Sequence, residues 1–215
     1  MSKSASIHKI TGSGVIAILR SATGAKIGDA IKAIVAGGIG VIEVTMTTPG
    51  ALNIIRDTKR ALGGAILMGA GTVLDAETAR SVLVAGAEFI VTPAVRPEVI
   101  RLANRYGVPV LTGAMTPTEA LAAHELGSDF IKIFPADNLG PSFIKSLLGP
   151  LPMLQLVPTG GITPENAGDY LAAGAAAVGT GSQLVDDRLI ENGDWQTVTK
   201  NAARFAAAVK KARSS

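Results

Sequence analysis

One recurring junction limits what this chain can fold into: a glycine that closes a helix-like stretch, followed at once by a short apolar run. It appears as AGGIGVIEVT (36–45), AGAEFIVTP (85–93), YGVPVLTG (106–113), LGSDFIKIFP (126–135) and AGAAAVGTG (173–181). Glycine suits a helix C-terminus because it adopts the left-handed backbone that ends the last turn. The runs that follow are apolar on both parities, as expected of strands covered on both faces. Gly86, Gly107 and Gly127 lie 21 and then 20 residues apart, while Gly38 to Gly86 is 48 and Gly127 to Gly174 is 47. Each of the longer intervals spans two such units.

Filling the gaps predicts eight strands, near 14–19, 40–45, 65–71, 88–92, 108–112, 129–133, 153–158 and 175–179. The segments TTPGAL, LDAET, RPEV, TPTEA, LGPSF and TPEN carry turn or cap signals that open the intervening helices. A short helix over 4–10 precedes the first strand, and the last helix covers 194–211. Eight even β-α units in 215 residues predict an α/β protein, a single-domain (β/α)8 TIM barrel over 1–215 with a short N-terminal helix. Right-handed crossovers close such a sheet on itself and leave no edge. An open doubly wound sheet is the competing arrangement.

In a barrel alternate strand residues point inward, and reactive groups gather at the C-terminal mouth. In VIEVT, Ile42 and Val44 take the helix-facing parity and Glu43 the inward one. In DFIKIF, Ile131 and Ile133 face the helices, and Lys132 shares the inward side with Phe130 and Phe134. The first strand ends on Arg20, the third runs into Thr72, and the seventh ends on Thr159. One parity rule thus collects a lysine, a glutamate, an arginine and two threonines. Partial desolvation and nearby cations favour a neutral amine. A neutral amine adds to ketones to give an imine, which acts as an electron sink. Glu43 is the only inward carboxylate at the centre of a strand and so the candidate base. The alternative is a buried Lys132–Glu43 ion pair with no chemistry.

The loops after the seventh and eighth strands read PTGG (158–161) and GTGS (179–182). Barrels often hold phosphate there on backbone N–H groups, which makes Gly160, Gly161, Gly181 and Ser182 candidates. The same glycines would also serve as plain tight turns.

Composition narrows the choices further. Aromatic residues are 4% and the net charge is +3, so a small anionic ligand fits better than a nucleic-acid groove. There is no cysteine, hence no disulfide or thiolate metal site. His8 and His124 are far apart, so no metal is expected, and without a GxGxxG after the first strand or a P-loop lysine motif no nucleotide cofactor is expected either. The N-terminus lacks an apolar signal core and no run approaches ~20 apolar residues, so a soluble cytoplasmic protein without membrane partners is expected. A mean hydropathy of +0.37 suggests apolar surface buried between subunits.

The segments VIEVTMTTPGAL, GAGTVLDAETA, GAEFIVTPA, TGAMTPTEA, DFIKIFPA, GPSFIKSLLGPLP and VPTGGI resemble the bacterial 2-keto-3-deoxy-6-phosphogluconate (KDPG) and 4-hydroxy-2-oxoglutarate (KHG) aldolases, from about Val15 to Val185. The resemblance implies a metal-free class I aldolase on a homotrimeric barrel, which releases pyruvate and D-glyceraldehyde 3-phosphate. It implies Lys132 as the Schiff-base lysine, Glu43 as the acid/base, Thr72 and Thr159 as substrate contacts, and Pro93 and Phe134 as pocket walls. It also implies Arg20 near the lysine and the substrate's anionic groups, and the four glycine-loop residues as a phosphate cradle. Many members carry a carboxylate-binding arginine where this chain has Thr47. That departure bears on substrate identity and keeps a phosphogalactonate or hydroxy-oxoglutarate substrate open. Two further alternatives are a phosphate-binding isomerase or synthase barrel without an imine, and a catalytically silent subunit, natural or engineered for assembly.

Overall fold

The computed structural model describes residues 2–214. Eight strands run β1 (Val15–Leu19), β2 (Val41–Thr45), β3 (Leu67–Gly71), β4 (Phe89–Thr92), β5 (Val110–Ala114), β6 (Phe130–Ile133), β7 (Leu156–Pro158) and β8 (Val178–Thr180). All ladders are parallel, in the order β7-β6-β5-β4-β3-β2-β1-β8. A Thr159–Gly179 bridge and the Ala176 N–H donating to Leu156 O join the two ends. The sheet is therefore a closed barrel, not an open doubly wound sheet.

The helices are α1 (Lys3–Ser13), α2 (Ile27–Ala36), α3 (Ala51–Leu62), α4 (Ala76–Ala85), α5 (Pro97–Arg105), α6 (Pro117–Glu125), α7 (Gly140–Leu148), α8 (Ala167–Ala172), α9 (Asp187–Asn192) and α10 (Trp195–Arg213). Local chemistry sets their starts. Asp75 accepts from Thr78 N ahead of α4, and Thr116 with Glu119 forms a full capping box ahead of α6. Pro97 and Pro117 open their helices where a missing N–H costs nothing. The junction glycines Gly38, Gly86, Gly107, Gly127 and Gly174 all have positive φ, as their role in ending helices requires.

Three of the strand starts that fall later than the sequence reading do so for a hydrogen-bonding reason. Val108 N–H donates back to Ala103 O and Pro109 has no N–H, so the fifth strand begins at Val110 rather than near 108 and continues to Ala114. Leu154 N–H turns back to Leu151 O, which delays the seventh strand to Leu156. Ala175 N–H still bonds Tyr170 O at the end of α8, so the eighth strand begins at Val178. The N-terminal helix is longer than 4–10, because Ser2 caps its start and Gly14 closes its end. Helix α9 was not anticipated; Asp186 caps it and Gly193 ends it.

Two apolar layers hold this together. Between sheet and helices lie Ile42, Val44, Ile90, Ile131 and Ile133 with Ile31, Ile34, Ile55, Ile100 and Phe205 from the helices. Inside the barrel, Ile16, Val41, Leu67, Phe89, Val91, Leu111, Phe130, Val157 and Ala177 form a floor, plugged from below by Ile10 of α1. Each Val, Leu, Ile or Phe among them contributes about 1.5–3 kcal/mol when fully buried. The floor is filled at the N-terminal end, so polar inward residues are confined to the upper layers. Among the described residues no helix is long and apolar enough to cross a membrane.

The floor has one tight joint. A Cβ on Gly69 would lie 2.2 Å from the Phe89 ring. Gly69→Ala should therefore cost about 1–3 kcal/mol and lower Tm by several degrees. Gly12→Ala, in helical backbone with nothing within 4 Å of the new methyl, should instead be neutral or gain up to about 1 kcal/mol. Paired thermal melts check both.

Candidate active site

The inward parity continues upward from the floor into a cavity of about 430 Å³ at the C-terminal mouth. Above Val41 stands Glu43, above Phe130 stands Lys132, and above Ile16 stand Ile18 and Arg20. Lys132, Glu43, Arg20, Thr72, Pro93, Phe134, Thr159, Gly160, Gly161, Gly181 and Ser182 all line this one cavity.

Neighbouring strands give up side chains to make the room. Glu43 is in register with Gly69, and a Cβ on Gly71 would lie 1.8 Å from Glu43 Oε1. Lys132 is in register with Gly113, whose missing side chain lets the Pro93 backbone pack against it. A Cβ on Gly179 would lie 2.4 Å from Thr159 Oγ1.

The electrostatics follow from the packing. Glu43 is 2% exposed, and its Oε1 is buried without a hydrogen-bond partner. Burial pushes the Glu43 carboxyl above its usual range, and the charges of Lys132 and Arg20 oppose this only in part. Among the described residues no ion pair joins Glu43 to Lys132. A buried pair that exists to neutralise itself would be in contact; this one is not. Lys132 is half-buried, with Nζ 5.3 Å from the centre of the Phe134 ring. A carboxyl whose proton affinity is raised by burial is suited to giving and taking a proton. An amine at the cavity wall can reach a carbonyl carbon. Together they suit imine chemistry.

Thr72 carries a separate signal. Its φ of 58° is left-handed, which a β-branched residue seldom adopts. Such a conformation costs about 1–3 kcal/mol and persists where the surroundings enforce it, often at a functional site.

Thr47 lies apart from the others. It is exposed, does not line the cavity, and places its hydroxyl 3.0 Å from Thr45 Oγ1. The strand alternation that would have aimed it inward ends where Thr48 N–H turns back to Thr45 O. Conversely, Ile18, Ile162, Gly179, Thr180, Gln183, Val185, Asp186 and Asp187 line the cavity without having been singled out. Ile18 and Gly179 follow from parity. The others lie after the seventh strand or at and beyond the end of the eighth, and reading GTGSQLVDD as one continuous rim would have found most of them.

The family model for KDPG and KHG aldolases matches residues 7–201. The chain belongs to this aldolase family. It is 37% identical over 197 residues to the 2-dehydro-3-deoxy-6-phosphogalactonate aldolase of Escherichia coli, covering 91% of this chain and 93% of the relative. It is 36% identical over 177 residues to the 2-dehydro-3-deoxy-phosphogluconate aldolase of Pseudoalteromonas atlantica, covering 82% of each. Among solved structures, a cube-shaped protein cage designed by fusing symmetric oligomeric domains superposes with a TM-score of 0.87 at 35% identity, over 94% of this chain and 73% of that one. A Legionella pneumophila KDPG aldolase, with pyruvate captured as a covalent carbinolamine, gives 0.83 at 29% identity over 92% and 96%.

Two outcomes are expected at this aldolase-family site. Thr72→Gly relieves the backbone, so it should lower kcat/KM while Tm stays level or rises by a few degrees. Glu43 binds its proton more tightly folded than unfolded, so its contribution to stability is full below about pH 4.5 and lost as pH rises through the raised value. Glu43→Gln does not titrate. Its urea midpoint relative to the parent should therefore rise with pH across that window and be flat on either side.

Proposed function

We propose that this chain is a class I aldolase that cleaves 2-keto-3-deoxy-6-phosphogluconate to pyruvate and D-glyceraldehyde 3-phosphate, with 4-hydroxy-2-oxoglutarate as a further substrate. The observation that carries this reading is the unpartnered, buried Glu43 carboxyl sharing one cavity with the Lys132 amine without a direct ion pair. The neutral amine of Lys132 adds to C2 of the keto acid, and Glu43, directly or through a water, moves protons as the carbinolamine loses water. Glu43 then takes the C4 hydroxyl proton while the C3–C4 electron pair flows to the iminium nitrogen. The aldehyde leaves, C3 of the enamine is protonated, and water releases pyruvate from Lys132. Thr72 holds the keto acid carboxylate, Arg20 supplies positive charge, and Pro93 and Phe134 form the walls. The glycines of the β7 and β8 loops, with Ser182, hold the phosphate, and Thr159 contacts the substrate between the two ends.

The 6-phosphogalactonate epimer is a second reading. The E. coli phosphogalactonate aldolase is 37% identical across 91% of the chain, which favours it. We also propose self-association as a homotrimer. It is supported by the exposed apolar side chains Leu74, Val84, Met115 and Met153 and by the match to a cage built from symmetric oligomers. A cytoplasmic setting accords with a cysteine-free chain.

Pyruvate and borohydride should leave a reduced adduct on Lys132, located by peptide mass spectrometry. Lys132→Ala should lose both adduct and turnover. Glu43→Gln should slow turnover about 10²–10⁴-fold, and an unchanged rate would remove its acid/base role. A protein that forms no adduct on any lysine is an imine-free barrel enzyme or a silent subunit. Comparing pyruvate release from the two epimers assigns the C4 preference.

A further inference from the structure

The cavity holds more acid than an anion site needs. Its charged lining residues are Arg20 and Lys132 against Glu43, Asp186 and Asp187. Glu43 sits deep beside the lysine. The two aspartates line the cavity from the start of α9, only four and five residues after Ser182. Asp187 is exposed to the cavity and solvent, and among the described residues neither aspartate has an ion-pair partner. Asp186 spends one oxygen on the Leu189 N–H. Lys132 becomes the reacting iminium, so Arg20 is the one cation in the lining that is free to meet the substrate's anionic groups. A phosphorylated sugar acid brings one carboxylate charge and a phosphate that is largely doubly charged above pH 7. A distal end made of hydroxyls brings no charge there and offers hydrogens that carboxylates accept.

We infer that Asp187, seconded by Asp186, is a specificity determinant that works against a phosphate dianion, so that this cavity also cleaves 2-keto-3-deoxy sugar acids whose distal end is a free hydroxyl. The bond broken and the imine chemistry are those of the main reaction; the aldehyde released is unphosphorylated. This rests on the aldolase reading above and on the glycine loops as the distal subsite. Carboxylates at the rim of a cavity this size act on the distal group over several ångströms of partly aqueous medium, which corresponds to roughly three- to tenfold in affinity at low salt.

The test uses the full-length protein with 2-keto-3-deoxygluconate and its 6-phosphate, in low and high salt. The parent should turn over both. Asp187→Asn should raise the phosphorylated-to-unphosphorylated kcat/KM ratio roughly three- to tenfold, through KM, with the gain shrinking in high salt. Asp186→Asn should act in the same direction more weakly, its cap retained because asparagine caps as well as aspartate. An unchanged ratio in Asp187→Asn, or a parent inert toward the unphosphorylated acid, overturns the inference. Borohydride trapping of pyruvate separates the two levels. If Lys132 is labelled in parent and variant alike, a null result falls on the specificity role alone. If the parent is not labelled, the aldolase reading falls and the inference with it.

Discussion

A carboxyl and an amine can share the interior of a closed barrel only where neighbouring strands surrender their side chains. Here Gly71 clears the space for Glu43, Gly69 makes room for the Phe89 ring beneath it, Gly113 lies beside Lys132, and Gly179 makes room for Thr159. Beneath them a continuous apolar floor shuts off the other end of the barrel. The carboxyl thus loses water without gaining a hydrogen bond, and its proton affinity rises. A side chain on Gly71 would collide with the acid, and one on Gly113 or Gly179 with the Pro93 backbone or with Thr159 of the cavity wall. Packing and reactivity are set by the same choice of small residues.

Backbone geometry explains which parts of this site could be read in advance. Side chains on a strand alternate while the ladder lasts, so Glu43, Lys132, Phe134 and Thr159 follow from counting in twos, whereas Pro93 comes only from the family resemblance. The rule expires where the ladder does. Thr47 has the right parity but lies beyond the turn closed by Thr48 and Thr45. Val108, Leu154 and Ala175 read as strand residues, yet their N–H groups are already used by the preceding turn. Asp186 and Asp187 reach the cavity from a loop with no period to count. The helix that positions them, α9, is six residues long and too short to announce itself by amphipathic spacing.

The loops nonetheless are not loose. Ala136 N–H donates to Thr159 O, and the Tyr170 hydroxyl of α8 donates to Ala136 O. Asn166 donates to Gly161 O and accepts from Thr163 N–H. Gly161, at φ 67°, packs so closely on Asp137 that a Cβ would lie 2.4 Å from its side chain. The segment that follows Lys132 and the glycine loop that follows Thr159 are therefore braced as one piece by α8. Preorganised donors of this kind lower the cost of ordering a ligand's distal end.

These two kinds of support divide the labour of the site. The reacting pair sits on inward strand positions whose orientation is fixed by the ladder, and the distal end is met by loops fixed by hydrogen bonds. Charge at the start of α9 belongs to neither scaffold: Asp187 has no ion-pair partner among the described residues and braces no strand. A change of charge there can alter which distal group is tolerated while leaving Lys132, Glu43 and their glycine surroundings in place. Members of a family with one reaction and several substrates need such a position, one coupled to the ligand through the field across the cavity and uncoupled from the fold.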